Sequence, residues 1–587
     1  MKKYIFSMIF IAGTVFQSCT DEKISNLPPD FASADQAASV NTNVLFFVNN
    51  LYTFIPRGYN RLDPDPATND NANGAAPGAP SVSDPKTAMV ASSTDESVHA
   101  TRNSAAELWG TGQWAPSPQN NWDTQIKTDY TGIRRTFEYT EDINPRIHVG
   151  TAGTSEVKPA DRDRYLGEAL FIRALLNFEL LKRYGGYPIV KTQLKAGDII
   201  NIPKSSYSEC VDYISGLCDQ AQTLLTVTPP TPGDFGRATK GAAMALKARL
   251  LLYAASPLNN TNNDVAKWKA AADAASVVIK TNTYSLLSAA GGAGYANFFT
   301  TIAANPEIIL SRLEVNSSNY ERMNGLPSIS TGLGGTCPSL NLVNDYEMAN
   351  GTPFDWNNPT MAANPFTNRD PRFANSILYN GSTWMGVTSG TAAVETFQGG
   401  KDAEGIQYAT RTGFYLRKFL TIGARFVGTV GTGVHAFPIF RYGEVLLNYA
   451  EAMNEAYGPD DPSTYGMSAR QAMVLIRTRA GLTGNLNVAS ATTQALMRDA
   501  IRHERRIELA FEEHRGFDLR RWKTAETVLN QPVMGLKIVK NAVGAPTPFT
   551  YTFQQVENRV FQQKMYFYPF PQDELSRNPG LVQNPGW

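Results

Sequence analysis

Histidine and cysteine are scarce in this sequence, with five histidines and four cysteines among 587 residues. The chain contains neither the GxSxG motif of a serine nucleophile nor the HExxH motif of a zinc-binding helix. Aspartate and glutamate are too numerous for a catalytic pair of carboxylates to be chosen from sequence. We therefore predict no enzyme active site, and neither a metal ion nor another cofactor.

The cysteines also lack the spacing of a structural framework. Cys210, Cys218 and Cys337 show no CxxC pattern. If Cys210 and Cys218 share one helix, their eight-residue separation places them roughly 12 Å apart. That distance exceeds the reach of a disulfide bond, so no disulfide framework is predicted. The content of 42% hydrophobic residues makes a large apolar core possible.

An excess of either charge is absent, since 53 basic residues balance 53 acidic residues. A protein that binds nucleic acid or an anionic membrane surface needs a basic excess, so the composition argues against both partners. After the first 18 residues, no apolar run reaches the length needed to cross a bilayer. We therefore expect that the mature chain does not span a membrane.

The N-terminal segment has the pattern of a signal peptide that ends at a cysteine. Lys2 and Lys3 precede an apolar stretch, residues 4–16, that is too short to cross a bilayer. Cleavage before Cys19 would make it the first mature residue, as in a bacterial lipoprotein, whose acyl chains anchor a protein firmly. We predict residues 1–18 as the signal peptide and Cys19 as the lipidation site. The alternative is a buried N-terminal helix or strand.

Helical periodicity dominates the middle and the end of the chain. In DRYLGEALFIRALLNFELLKRYGGYP, residues 163–188, two apolar stripes predict a helix that packs on two sides and stops at Gly185 and Gly186. Further helices are predicted in GRATKGAAMALKARLLLYAASP, AKWKAAADAASVVIKT, FRYGEVLLNYAEAMNEAYG, SARQAMVLIRTRAGL and MRDAIRHERRIELAFEEHRGFDLRRW. These short helices, rich in Ala, Leu and Tyr, look like degenerate tetratricopeptide pairs. We predict a mainly α-helical fold built on a scaffold of stacked helical pairs.

The rest of the sequence predicts long loops that contain aromatic residues. Residues 56–122 are rich in Pro, Asn, Gly and Asp and include Trp109, Trp114 and Trp122, and residues 350–437 are similar. Loops of this length inside a compact protein are usually functional. We therefore expect a loop-rich half beside the helical scaffold.

Charged residues are concentrated near the C-terminus, together with two histidines. His503 and His514 are eleven residues apart, which is roughly 16 Å along a helix, so they cannot share a metal ion. The arginines of this segment suit ion pairs with Glu508, Glu512 and Asp518 at helical spacing. We therefore interpret the segment as a paired-charge helix that packs against the body.

Nine stretches spread along the chain form a recognisable set. They are GEALFIRALLNFELLKRYGGYPIV (167–190), GRATKGAAMALKARLLLYAASP (236–257), PSLNLVNDYEMANGTP (338–353), NRDPRF (368–373), TGFYLRKF (412–419), FRYGEVLLNYAEAMNE (440–455), IRTRAGL (476–482), IRHERRIELAFEEHRGFDLRRW (501–522) and YFYPFPQDELSRNPGLVQNPGW (566–587). One stretch alone would be a weak signal, but all nine occur in the order expected for one family. The sequence resembles the SusD/RagB family of Bacteroidetes outer-membrane lipoproteins over nearly the whole mature chain.

The resemblance implies both a fold and a function. It implies four tetratricopeptide-like helix pairs and a variable looped half that holds the ligand, with residues 19–235 and 236–587 forming one compact unit. It also implies a surface-exposed outer-membrane lipoprotein that binds oligosaccharides and delivers them to a SusC-like TonB-dependent transporter. The last five residues, QNPGW, lead us to expect that the chain is complete.

Three functions remain open after this comparison. The first is the oligosaccharide-binding role, and the second is the same importer role with peptides or another solute as ligand. The third, a lipid-anchored hydrolase, is disfavoured because no catalytic motif is present. Asp21 and Glu22 resemble the acidic stretch that directs such lipoproteins to the cell surface, although they could also belong to a solvated tether.

The resemblance places the ligand site on aromatic residues of two loops. One loop contains Trp109 and Trp114 and is interrupted by glycine and proline. The other follows the third helical pair and contains Tyr295 and Tyr320. The predicted ligand-binding residues are Trp109, Trp114, Tyr295, Tyr320, Arg322 and Asn324. Sugars would stack on the flat rings, and the last two side chains would bind hydroxyl groups. The alternative is that the rings only pin the loops to the body.

Overall fold

The computed structural model describes residues 33–587 of this chain, with some gaps. The gaps are at residues 60, 63–87, 118–122, 124, 151–154, 196, 230, 290–291, 303, 315–318, 330–331, 386–390, 423–432 and 434. Three features of the sequence lie outside the described residues: Cys19 with the predicted signal peptide, the acidic residues that follow it, and Trp122.

Helices dominate the secondary structure, with 46% helix against 11% strand, which confirms the predicted mainly α-helical class. The helices are α1 (Ala34–Ala38), α2 (Asn41–Leu51), α3 (Ala105–Gly110), α4 (Gln125–Phe137), α5 (Pro159–Tyr184), α6 (Tyr207–Leu224), α7 (Lys240–Ala255), α8 (Val265–Lys280), α9 (Ala293–Phe298), α10 (Asn319–Asn324), α11 (Leu340–Asp345), α12 (Pro359–Ala363), α13 (Pro371–Ser376), α14 (Tyr442–Tyr457), α15 (Ala469–Ala480), α16 (Leu486–Ser490), α17 (Gln494–Glu508), α18 (Arg515–Arg521), α19 (Ala525–Val528) and α20 (Gln572–Arg577). The strands are β1 (Ser97–His99), β2 (Ile308–Leu313), β3 (Thr336–Pro338), β4 (Ile377–Leu378), β5 (Thr383–Met385), β6 (Thr391–Ala393), β7 (Tyr415–Leu416), β8 (Ala436–Arg441), β9 (Val533–Lys540) and β10 (Phe549–Glu557).

Helix α5 is the centre of the scaffold and ends where the sequence predicts. Nearly every residue between Tyr165 and Tyr184 is buried, as expected for a helix that is apolar on two sides. Gly185 follows with φ of 71°, and its N–H donates to the carbonyl of Leu181 at 2.9 Å. A positive φ suits glycine because it has no Cβ, so the predicted stop has a physical cause.

The scaffold is a series of helices that pack on their neighbours. Helix α4 packs on α5, α5 on α6, α6 on α7 and α7 on α8; the chain then returns with α14, which packs on α8, α15 and α17. Ala248, Ala271 and Ala275 lie in one buried cluster of α7, α8 and α14, where their small side chains allow the helices to approach closely. Within the described ranges, none of the helices combines the length and the apolar character of a bilayer-crossing segment.

The chain between α8 and α14 forms the loop-rich half. Its strands pair antiparallel in twos, β2 with β8, β4 with β7 and β5 with β6. Strand β1 pairs with β3, so that Ser97 lies opposite Pro338, and β9 pairs with β10 in a C-terminal hairpin. The pairing of β1 with β3 joins the N-terminal part to the loop-rich half. Two backbone hydrogen bonds attach the hairpin to it, from the Leu536 N–H to the Thr412 carbonyl at 2.8 Å and from the Gln398 N–H to the Ile538 carbonyl at 2.7 Å.

Glu508 of α17 lies at the centre of a buried ion network between the scaffold and the loop-rich half. Its carboxylate accepts hydrogen bonds from Arg372 at 2.9 Å and from Arg441 at 2.7 Å, and also from Arg479. Burial alone would raise the pKa of Glu508, but these three guanidinium groups hold it well below its ordinary value. Removing one partner from such a buried network typically costs about 3–5 kcal/mol.

The charged C-terminal segment is a packed structural element, but it forms two helices, α17 and α18, and not the single helix predicted, because the backbone turns between them with positive φ at Phe511 and Glu513. Its ion pairs also differ in part from the prediction. Asp518 pairs within the segment, with Arg505 at 2.7 Å and Arg521 at 2.8 Å. Glu508 and Glu512 both pair with Arg441 of β8 instead. Helical spacing cannot predict such partners, because they meet only in the tertiary fold.

Candidate ligand-binding site

Trp109 and Trp114 are stacked on each other inside the protein. Trp109 lies in α3, and Trp114 follows a turn at Gly112, whose φ is 78°. The two ring centroids are 3.9 Å apart with 14° between the planes, and the indole N–H of Trp114 donates to the carbonyl of Trp109 at 2.7 Å. Only 5% of Trp109 and 8% of Trp114 are exposed. The structure brings these two predicted residues together, but in the core.

Further neighbours cover the Trp114 ring. Trp587 lies parallel to it at 5.9 Å, Tyr568 meets it edge-on at 5.2 Å, and the guanidinium of Arg520 lies 5.3 Å from its centroid. A ring that is covered in this way offers little of its face to a sugar. The packing is that of the alternative interpretation, in which the rings pin the loop to the body. The ligand-binding role of Trp109 and Trp114 stays a prediction.

Tyr295 and Tyr320 lie in a second aromatic cluster, in the loop-rich half. Tyr320 packs on Tyr59 at 4.3 Å, and Tyr295 packs on Phe299 at 5.3 Å. Phe419 connects the two pairs, at 5.0 Å from Phe299 and 6.2 Å from Tyr320. Burial raises the pKa of both tyrosines. The structure thus brings these two predicted residues into one cluster, separate from the tryptophan stack.

Arg322 and Asn324 lie beside Tyr320 on α10. Asn324 is buried, and its side chain donates to the carbonyl of Tyr320 at 3.4 Å and accepts from the N–H of Thr336 at 3.1 Å. The amide therefore fixes the backbone around α10 in this structure. Arg322 is half-buried. Their predicted role as hydroxyl-binding groups stays a prediction.

Partly exposed rings are grouped at another place in the loop-rich half, which we call the aromatic platform. It consists of Phe354, Trp356, Tyr551 and Phe553. Trp356 meets Phe354 at 5.1 Å and 89°, Phe553 at 5.2 Å and 68°, and Tyr551 at 5.9 Å and 54°. Phe553 is 51% exposed and the other three rings are half-buried. The platform therefore presents aromatic surface to solvent.

The C-terminal hairpin positions two rings of the platform. Tyr551 and Phe553 are two positions apart in β10, so their side chains point to the same face of the hairpin. On the neighbouring strand they lie opposite Ile538 and Leu536, which are both buried. This face of the hairpin packs against the core of the loop-rich half, and Phe553 stands at its solvent-exposed margin.

Polar contacts orient the other two rings. The indole N–H of Trp356 donates to the side-chain oxygen of Asn344 at 2.9 Å. The guanidinium of Arg369 lies 4.0 Å from the centroid of Phe354 and donates to the carbonyl of Tyr346 at 3.1 Å. Because these contacts fix the rings in advance, a ligand would not have to order them on binding.

Sequence reasoning missed the aromatic platform. Trp356 falls in the predicted loop region 350–437, but no predicted site includes Tyr551 or Phe553. The signal was present in FTYTFQQ, residues 549–555, where aromatic and polar residues alternate. That period is typical of a strand with one apolar face. What the sequence did not contain is the contact of this strand with the loop of Trp356.

Comparison with known proteins identifies the family. A model of the SusD family matches residues 306–587, and a second model, described as starch-binding and associating with the outer membrane, matches residues 69–252. The SusD-like protein P38 of Formosa agariphila is 25% identical over 385 residues, which cover 64% of this chain and 69% of that protein.

Solved structures extend the match to most of the chain. A SusD-like protein from Bacteroides fragilis is 27% identical, with a TM-score of 0.74 over 94% of this chain and 98% of that one. A second structure from the same species, described as a SusD-like carbohydrate-binding protein, is 23% identical, with a TM-score of 0.70 over 92% and 99%. The helical scaffold and the loop-rich half together define a class of binding proteins that are built on pairs of helices. The chain belongs to the SusD family.

Proposed function

We propose that this protein is an outer-membrane lipoprotein that binds oligosaccharides at the cell surface and passes them to a SusC-like TonB-dependent transporter. The observation that carries the proposal is the match of one part of the chain to the SusD family and of another to the starch-binding model. Lipidation of Cys19 would hold the protein at the membrane, and the acidic residues behind it would direct it to the cell surface.

The aromatic platform supports an oligosaccharide as the ligand. Aromatic faces stack on the apolar faces of sugar rings, while polar groups beside them bind hydroxyls. The platform combines the rings of Trp356 and Phe553 with the amide of Asn344. Several rings side by side suit a chain of sugars better than a single sugar. We propose binding without hydrolysis, because the sequence contains no catalytic motif.

An array of glycans and peptides tests this proposal. The full-length protein, purified from membranes in mild detergent, should bind polysaccharide or oligosaccharide spots and leave the peptide spots empty. Recovered oligosaccharides should keep their length after incubation with the protein. Binding to peptides alone would instead favour the importer role with a peptide ligand, and release of shorter sugars would favour the hydrolase.

A further inference from the structure

Strand β10 forms the outer edge of the C-terminal hairpin. The hairpin is a two-stranded sheet, so β10 pairs with β9 on one side only. With nine residues, Phe549–Glu557, it is the longest strand in the part of the chain that the structure describes. An edge strand of this length presents a row of backbone N–H and C=O groups that a further strand can pair with.

The contacts of β9 show which backbone groups of β10 face outwards. The N–H of Leu536 donates away from the hairpin, to the carbonyl of Thr412 at 2.8 Å. Phe553 lies opposite Leu536, and in an antiparallel pair the two opposite residues either bond to each other or both face away. Because the direction alternates along a strand, the outward groups belong to Phe549, Tyr551, Phe553 and Gln555. We call this row of backbone groups the free edge.

The free edge lacks the features that usually prevent strand pairing. Residues 549–556, FTYTFQQV, contain neither a charged residue nor a proline, and the only irregularity in the pairing of β10 lies at its end, between Gln555 and Glu557. Natural edge strands usually have a lysine, a proline or a bulge that hinders the approach of another strand. Thr550, Thr552 and Phe553 are exposed, so a second strand can reach β10 from solvent.

We infer that the free edge pairs with the free edge of a second copy of this chain, in an antiparallel contact about a two-fold axis at Thr552. In this register Tyr551 lies opposite Phe553 of the second copy, and Phe549 lies opposite its Gln555. All four residues of the free edge then form backbone hydrogen bonds across the axis. An axis one residue earlier, at Tyr551, would leave Gln555 without a partner.

The sequence of β10 is complementary to itself in this register, which favours a second copy over a foreign strand. Thr552 meets Thr552, and Tyr551 meets Phe553; threonine pairs and aromatic pairs are both favourable across antiparallel strands. No like charges meet, because residues 549–556 are uncharged. A strand of another protein would have to match this pattern with a different sequence, whereas a second copy matches it through symmetry.

The pairing would also join two aromatic platforms. Tyr551 and Phe553 point to one face of β10, so the rings of both copies would lie side by side on the same face of a four-stranded sheet. A longer row of rings suits a longer sugar chain, and this consequence rests on the proposed function. The pairing itself does not depend on which solute the loop-rich half binds.

Engineered disulfides test the register. The full-length protein with Thr552→Cys or Thr550→Cys is purified in mild detergent from cells that lack the transporter. The backbone groups of Thr552 face β9, so at the axis two copies of this residue form a non-hydrogen-bonded pair about 4.5 Å apart between Cα atoms, within reach of a disulfide. The two copies of Thr550 would be about 14 Å apart.

Mild oxidation should therefore join two Thr552→Cys chains and leave Thr550→Cys chains separate on a non-reducing gel. Both threonines are exposed on the same face of β10, which makes Thr550→Cys a matched control. The free native cysteines in the described residues are buried and should not form crosslinks. Equal disulfide yields at the two positions would overturn the inference.

Charged substitutions test the pairing without a crosslink. Thr552→Lys places two lysines opposite each other at the axis and should raise the dimer Kd about five-fold or more in sedimentation velocity. Thr550→Lys, which faces Gln554 of the second copy, should leave the Kd nearly unchanged. A mixture of Thr552→Lys and Thr552→Glu should pair again, because opposite charges then meet.

A native protein that stays monomeric at every concentration would overturn the inference, and so would a dimer that Thr552→Lys leaves intact. Because the transporter is absent from these preparations, a dimer cannot be mistaken for the transporter complex. Oligosaccharide binding by the same variants is measured in parallel, so that a failure of the proposed function is seen separately from a failure of the pairing.

Discussion

The indole ring of Trp114 lies parallel to that of Trp109, with 3.9 Å between the centroids, and donates its N–H to the Trp109 carbonyl at 2.7 Å. One residue of the loop thus fixes the end of α3 through both a ring contact and a hydrogen bond. Tyr568 meets both rings edge-on, which ties the pair to the C-terminal part of the chain. These contacts give the pair of Trp109 and Trp114 a structural role, because they hold the loop against the body of the protein.

Replacing Trp114 with alanine should therefore destabilise the protein. Loss of a buried indole and its hydrogen bond is expected to lower the free energy of unfolding by about 3–5 kcal/mol. Chemical denaturation of the native protein and of Trp114→Ala measures this change, and glycan affinity is compared at a temperature where both are folded. The affinities should then agree. Unchanged stability with about ten-fold weaker binding would instead support the ligand role predicted from sequence.

Glu96 predicts a pH dependence of stability. Burial and the neighbouring Asp95 raise its pKa from 4.5 to about 8, and its carboxylate accepts the N–H of Phe511 at 3.3 Å. Because the folded protein holds the proton more tightly than the unfolded chain, this contribution is complete below pH 4.5 and is lost as the pH rises through about 8.

The variant Glu96→Gln cannot titrate at this position and serves as the comparison. The difference in unfolding free energy between the native protein and Glu96→Gln should fall with rising pH, by about 1.4 kcal/mol per unit inside the window. Thermal unfolding from about pH 5 to 9 measures it. A difference that stays constant across this range would contradict the assignment.

Cys19 should be the residue that anchors the protein to the membrane. In cells that lack the partner transporter, Cys19→Ala is expected to move the protein from the membrane fraction to the supernatant. Alanine has no thiol, so the acyl chains that anchor the protein can no longer be attached. Fractionation followed by immunoblotting measures this, with Cys210→Ala, a change at a buried cysteine, as the control. Tight membrane association of the Cys19 variant would show that another feature holds the protein.

The proposed import function predicts a stable partner. When the protein is purified in mild detergent from a native membrane that contains the neighbouring transporter, a large β-barrel protein should be recovered with it. Mass spectrometry of the purified complex identifies the partner. Recovery of the lipoprotein alone, with the transporter present in the same membrane, would count against delivery to a transporter.

The helical scaffold could be predicted from sequence because its signals are local. The two apolar stripes lie within the 26 residues of α5, and the glycines follow directly. The positive φ of Gly185 ends the helix where the pattern stops. The charged segment around Glu508 is helical and packed, as predicted, but as two helices and not one. Its partner Arg441 could not be predicted, because β8 and α17 meet only after the chain has folded.

The site could not be predicted to the same depth. Trp109 and Tyr295 lie in the six-residue helices α3 and α9, and Trp114 lies in the loop after α3. Elements this short have no periodic pattern that shows whether an aromatic residue is buried or exposed. Burial there depends on partners such as Trp587 and Phe299, which pack against these rings in the structure. The contact between Trp356 and Phe553 likewise depends on the pairing of β10 with β9, which positions the strand beside a distant loop.

The ligand-binding role of the aromatic platform is tested most directly by comparing glycan affinity in three variants by isothermal titration calorimetry. Trp356→Ala and Phe553→Ala alter the aromatic platform, and Phe46→Ala alters a phenylalanine of α2 with similar exposure, 45% against 51% for Phe553. Each platform ring is expected to contribute roughly 1–3 kcal/mol, so the two platform variants should bind the oligosaccharide found on the array about ten-fold more weakly or worse. Phe46→Ala should bind like the native protein. Native affinity in both platform variants would contradict a ligand-binding role of the platform, and no oligosaccharide binding by the native protein would contradict the proposed ligand.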